Sequence, residues 1–279
     1  MTSSLFQDDA SSNSQQFQTI NELLSTEISD NNENDSVNKC TYCSISEITS
    51  TLNPADFNLF SLNTCSLPSQ IDNLNNFFTA EASNIFSAIS IQEVWSAKRT
   101  LSISGFSPLI YKTRDQFSSV NGNCGGGVAM FIKSGLQYEI LDDLSEFIPG
   151  VYESLWIKLK PNSIKSTKSI ILGNVYRPNS APKANITLAL STHFSILEKI
   201  KRNKAHKGCK IIVASDFNID LLTFATNVTS LEYINSHFAK GLIPVISLSA
   251  HITATSAKVI DHIFVCDPPP PYKTGVLKF

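Results

Sequence analysis

The sequence predicts a strand-rich α/β layered fold. From residue 57 onward, seven short β-branched and aromatic runs stand against only three segments of helical period. Regular βαβ alternation needs a helix between most successive strands, so a doubly wound parallel sheet fits this pattern poorly. The 279 residues are 42% apolar and 16% charged, enough for one substantial core or two small ones. With 11 Gly and 12 Pro the chain is neither collagen-like nor of low complexity.

The expected strands are Phe57 to Asn63, Phe86 to Gln92, Gly127 to Lys133, Ser154 to Leu159, Ser169 to Tyr176, Lys210 to Asp216 and Val259 to Cys266. Each is a short apolar run bounded by turn residues. The expected helices are Gln70 to Ala82, with Ile71, Leu74 and Phe78 on one face; Ile186 to Asn203, with Leu190, Phe194, Leu197 and Ile200; and Ser230 to Lys240, with Leu231, Ile234 and Phe238, ended by Gly241. The basic run from Lys199 to Lys210 reads as a solvated helix terminus that suits the macrodipole.

Residues 1–38 hold seven acids and no Lys or Arg, so the remaining chain carries 22 bases against 17 acids. That body permits a polyanionic partner without demanding one. The polar, acid-only start reads as a largely disordered leader, placed at 1–52. No run of eighteen apolar residues exists, the first residues lack a basic start and an apolar core, and the six Cys show no disulfide framework. The expectation is an intracellular protein of cytoplasm or nucleus, with no membrane contact and no inferable partner protein.

Several strands end in a polar residue directly after an apolar run: Asn63, Gln92-Glu93, Asn174 with Tyr176, and Asp216 with Asn218. Side chains at strand ends can converge on one rim, and carboxylates with nearby amides form the oxygen set that hard cations prefer. Each residue also has a plain structural reading: Asn63 as a turn cap, Glu93 as an exposed strand end, Asp216-Phe217-Asn218 as an Asx-type turn. Cys40-Thr41-Tyr42-Cys43 lacks the second pair that a zinc site needs. Gly125 to Gly127 suits a tight corner or a close approach of strands better than a phosphate cradle, since no helix start follows.

The order of these motifs resembles the endonuclease/exonuclease/phosphatase superfamily, most closely the endonuclease domains of LINE-type, non-LTR, jockey-like retrotransposons. The matching text is Phe60-Ser61-Leu62-Asn63-Thr64, Ile91-Gln92-Glu93-Val94-Trp95, Gly125-Gly126-Gly127-Val128-Ala129, Asn174-Val175-Tyr176-Arg177-Pro178-Asn179, Ser215-Asp216-Phe217-Asn218 and Ile260-Asp261-His262-Ile263-Phe264. The resemblance implies a two-sheet β-sandwich flanked by helices, a four-layer deoxyribonuclease I-like fold, over residues 53–279. It implies a Mg²⁺-dependent (or Mn²⁺-dependent) phosphodiester hydrolase that nicks target DNA. Glu93 would be the principal metal ligand with Asn63 beside it, and Asp216 would align or deprotonate the attacking water. Asn218 and Tyr176 would hold the phosphate, Asn179 and Asn174 would contact substrate, and Asp261 would orient a catalytic histidine.

Departures from the family pattern bear on this. Ser215 stands where a glycine is usual, and Ser249-Ala250-His251 where Pro-Thr-Arg is usual, which weakens the expected grip on DNA. The family's Ser-Asp-His segment and closing strand have no counterpart before Phe279, so the fold is expected to lack its final strand and the activity to be impaired. Period-two alternation turns His262 away from any site that Asp261 faces. Competing readings are an inactive relic and a small-molecule phosphatase of the same superfamily.

Overall fold

The computed structural model describes residues 40–82, 84–96, 101–114, 125–161, 166–179, 183–252, 255–266, 268 and 272–277. The expected disorder of residues 1–38 lies outside them.

One sheet has four strands in the order β2 (Leu59–Asn63), β3 (Ala88–Gln92), β5 (Val128–Ile132) and β4 (Ile110–Lys112). A larger sheet runs β11 (Leu242–Pro244), β14 (Asp261–Cys266), β10 (Lys210–Asp216), β9 (Ile170–Tyr176), β8 (Tyr152–Leu159), β6 (Tyr138–Ile140), with β7 (Phe147–Ile148) also on β8. Alternation along each strand sorts side chains between two cores. On β8, Leu155, Ile157 and Leu159 enter the layer between the sheets, where they meet Val128, Met130 and Ile132 of β5. Tyr152 and Trp156 of the same strand face outward, under the helices α3 (Lys183–Arg202) and α4 (Val228–Phe238). The outer face of the smaller sheet, with Phe60, Ile89, Ile91 and Phe131, is covered by α2 (Leu67–Asn76) and its π-helical extension Phe77–Glu81 through Leu67, Ile71, Leu74 and Phe78. Helix, sheet, sheet and helix make the four expected layers. No helix among the described residues is long and apolar enough to cross a membrane.

The two parallel pairs matter most for the site. β2 pairs with β3 in parallel, the chain crossing through α2, and β9 pairs with β10 in parallel, crossing through α3. Parallel pairing brings the C-terminal ends together within each sheet, and the Asn63–Asp216 hydrogen bond sets both pairs of ends at the same rim of the sandwich.

The placement of the leader boundary at residue 52 needs correction. β1 (Cys40–Cys43) pairs in parallel with β15 (Thr274–Leu277), and α1 (Ile45–Thr51) follows it. A capping box starts α1: the Ser44 hydroxyl accepts from Glu47 N–H while the Glu47 carboxylate accepts from Ser44 N–H. Ile48, Leu52 and Leu277 pack on the α2 core, which explains why this stretch is folded.

Gly173 of β9 marks the tightest close approach in the outer core. An added Cβ there would lie 2.5 Å from the Trp156 ring. Trp156 is fully buried and cannot yield, so Gly173→Ala is expected to cost about 1–3 kcal/mol. A urea midpoint equal to that of the parent chain would refute this.

The same core contains a buried imidazole network. Tyr152 Oη lies 3.1 Å from His193 Nδ1, and His193 Nε2 lies 3.1 Å from His237 Nε2. His237 Nδ1 is 2.8 Å from the Tyr233 carbonyl oxygen, Tyr233 Oη is 3.3 Å from His262 Nδ1, and His262 Nε2 is 3.0 Å from the Val259 carbonyl oxygen. Carbonyls only accept, so His237 carries its proton on Nδ1 and His262 on Nε2. A neutral His237 then accepts at Nε2, which makes His193 the donor there and the acceptor of the Tyr152 hydroxyl. One all-neutral tautomer set therefore satisfies the network. Burial holds the imidazoles far below their ordinary range, His193 at about 3 and His262 at about 4.

Candidate active site

Register brings the site together. Asp216 of β10 is the direct neighbour of Tyr176 on β9 and of Asp261 on β14, so three expected site residues sit side by side across the end of the larger sheet. On the smaller sheet Asn63 pairs with Gln92, and Glu93 follows immediately. Asn63 Nδ2 joins the halves: it donates to Glu93 Oε1 at 2.9 Å and to Asp216 Oδ2 at 2.7 Å. The two carboxylate oxygens are therefore less than about 6 Å apart, within reach of one small cation whose ligand bonds are about 2 Å long.

The backbone presents Glu93 in a way strands do not. Its φ is +53°, and its own carbonyl accepts from Ser66 N–H at 2.9 Å. Positive φ in a non-glycine residue is uncommon and gathers at functional positions. Asn218 shares it, with φ +52°. Its N–H caps Asp216 Oδ1 at 3.2 Å, and its side-chain amide donates to the Arg177 carbonyl at 2.9 Å. Tyr176 Oη donates to Glu93 Oε1 at 3.1 Å, and burial together with Glu93 pushes its phenol well up, so it stays a donor. Burial first, and then the Asp261 carboxylate, raise Asp216 well above the ordinary carboxylate range. None of the ion pairs among the described residues involves Glu93 or Asp216. Crowded carboxylates without a basic partner suit a hard divalent cation, and the oxygen-rich donor set fits one. The oxygen donors are the two carboxylates, since Asn63 turns its nitrogen toward both while its Oδ1 accepts from Cys65 N–H; among the described residues no three His, Cys, Asp or Glu side chains are grouped so as to hold a metal ion.

One expectation changes. Asn174 was expected to touch substrate, but it is fully buried between the sheets, its Nδ2 donating to the carbonyls of Ile91 and Ala129 at 2.9 Å each and its Oδ1 accepting from Gln92 Nε2 at 2.7 Å. It shares a strand face with Tyr176 yet lies one step below the rim, so it ties the sheets together. Among the histidines, His193, His237 and His262 are all held in the outer core, as alternation predicts for His262, and His206 lies near the N-terminal end of β10, far from the rim. Asn179 is exposed in the loop after β9. Ser215 faces outward, its Oγ 3.4 Å from Tyr233 Oη.

Sequence reasoning missed Arg177. It is almost wholly buried, and its guanidinium donates to the carbonyls of Phe217, Pro178 and Asn218 at 2.6, 3.0 and 3.0 Å. Those bonds hold the loop that presents Asp216 and Asn218. The glycine run behaves as expected: Gly126 and Gly127 have φ near +85°, and their carbonyls accept from Trp95 and Val94 at 2.7 and 3.3 Å.

No protein-family profile matches the chain, and no curated protein matches it. Solved structures do. A 3'-5' exonuclease (NExo) of Neisseria meningitidis aligns with 14% identity over 75% of this chain and 86% of its own, with a TM-score of 0.50. The catalytic domain of Xenopus laevis APE2 aligns with 15% identity over 75% and 82%, also at 0.50. The endonuclease domain of TRAS1, a telomere-specific non-LTR retrotransposon, aligns with 15% identity over 75% and 84%, at 0.47. The chain has the deoxyribonuclease I-like fold of the endonuclease/exonuclease/phosphatase superfamily.

Proposed function

We propose that the protein is a metal-dependent phosphodiester hydrolase that nicks DNA, in the manner of a retrotransposon endonuclease. The observation that carries this reading is the single Asn63 amide nitrogen hydrogen-bonded to both Glu93 and Asp216, which gathers two carboxylates from different sheets at one rim. Glu93 would hold a hard divalent cation, Mg²⁺ or Mn²⁺, and the Asn63 carboxamide would join it by turning its oxygen from Cys65 N–H toward the ion. Bound there, such an ion neutralises charge on the phosphate and on the departing oxygen. Asp216 would align a water molecule and take its proton. Tyr176 and Asn218 offer neutral donors beside it for the phosphate oxygens, a form of stabilisation that acts as charge develops. Asn179, exposed after β9, would contact the flanking sugar-phosphate. Asp261, adjacent to Asp216 in register, adds negative charge that favours a cation.

Conversion of supercoiled plasmid to the open circle tests the reading. Nicking is expected with Mg²⁺, to be absent with chelator, and to fall at least about a hundredfold in Glu93→Gln. Nicking that survives both chelator and Glu93→Gln would mean that this site is not the source. No metal-dependent nicking at all would favour an inactive copy.

A further inference from the structure

Trp95 is the one aromatic side chain among the large apolar residues exposed in the described structure, at 37%. It stands two residues after Glu93, and its indole N–H lies 3.4 Å from Glu93 Oε2. Its backbone is strained for a bulky side chain, with φ +67°, and a 2.7 Å bond from its N–H to the Gly126 carbonyl helps hold it there. Across that same glycine lies Arg114: a Cβ on Gly126 would come within 2.6 Å of the guanidinium. Arg114 Nε is in turn fixed at 2.7 Å to Glu153, which is fully buried. An exposed indole and an oriented guanidinium thus flank one peptide at the edge of the carboxylate cluster. Phosphate chemistry alone gives no use for the indole. A flat, exposed and rigidly seated aromatic face is what a nucleobase stacks on.

We infer that Trp95, with Arg114 across Gly126, forms a subsite for an unpaired nucleobase next to the scissile phosphate. The inference rests on the hydrolase reading for where the phosphate sits, and it narrows the substrate to nucleic acid whose bases can leave the stack. Trp95 reads the base face without regard to sequence, while Arg114, its side chain 17% exposed and its charge met by Glu153, backs the Gly126 peptide that seats the indole.

The probes are a single-stranded thymidine decamer and a decamer of equal charge built from abasic sites, both bound in chelator so that nothing is cleaved. The chain has two Trp, and Trp156 is fully buried, so a change in the exposed emission reports Trp95. The thymidine decamer is expected to quench that emission and to bind roughly ten- to a hundredfold more tightly than the abasic one. Trp95→Ala should erase the difference, and Trp95→Phe, which keeps the ring and drops the N–H, should retain most of it. Equal binding of both decamers by the parent chain, or binding of neither, overturns the subsite. So does an undiminished preference in Trp95→Ala. Plasmid nicking is scored separately: base-dependent binding without metal-dependent nicking refutes the hydrolase and leaves the subsite standing, whereas nicking with base-independent binding refutes the subsite alone.

Discussion

Asp216→Asn is expected to lower metal-dependent plasmid nicking about a thousandfold, and adding Glu93→Gln to it is expected to cost almost nothing further. The single effect follows from what the substitution removes. The Asp216 carboxylate can accept a proton from water, and the amide keeps the volume while losing that capacity. The missing second effect follows from geometry. Both carboxylates meet at Asn63 Nδ2, so they act as one unit, and losses within a unit do not multiply. Rates measured for both single variants and the pair settle it. A double variant slower than either single by the product of their losses would show two independent contributions, and the shared-site arrangement would be wrong.

Acidification from pH 6 to pH 5 is expected to remove about 3 kcal/mol of folding stability. His193, His237 and His262 are neutral in the folded chain, their imidazoles depressed by burial; at His237, His193 and Lys240 deepen the depression, while Asp261 and Asp220 partly offset it at His262. A depressed histidine contributes stability that is present above its unfolded value of about 6.5 and is lost as pH falls toward its folded value. Unfolding therefore takes up three protons between about pH 6 and pH 4. Asp216 works in the other direction. Its folded value is raised, so in that window the folded chain holds one proton more at this site. The net uptake is about two protons, worth about 3 kcal/mol per pH unit, against a typical total of about 5–15 kcal/mol. Urea midpoints at half-unit intervals measure the slope, and His193→Gln should reduce it by one proton. A slope of one proton or less in the parent chain would mean that the buried imidazoles do not control acid stability.

Much of the rim was legible because strand ends are. An apolar run closed by Asn63, Glu93, Tyr176 or Asp216 states both the strand and where it stops, and period two assigns the facing. That is why the sequence alone turns His262 away from Asp261. Depth was not legible. Asn174 and Tyr176 have the same parity, and only the position of the opposing sheet shows that the first lies inside and the second at the edge. Arg177 was invisible for a related reason: a charged residue in a loop reads as surface until the Asp216–Asn218 loop folds its carbonyls around it. Short strands such as β4 and β15 owe their existence to partners elsewhere in the chain and carry little local pattern. The capping box at Ser44 was readable, and it marked folded chain inside a stretch whose composition suggested none.

The division of the site between two sheets makes the gap between those sheets a quantity on which chemistry depends. Asn63 and Glu93 ride on one layer, Tyr176, Asp216 and Asp261 on the other, and Asn174 with Gln92 sets how far apart the layers stand just beneath them. It works as a spacer in a hinge-free joint. A chain that slips by a single ångström there keeps its helices and every rim side chain, yet its two half-sites no longer meet. Random mutagenesis scored for loss of nicking should therefore return interior positions alongside the rim, with Asn174 and Gln92 foremost, and second-site revertants of those variants should fall on the facing strands and not at the surface.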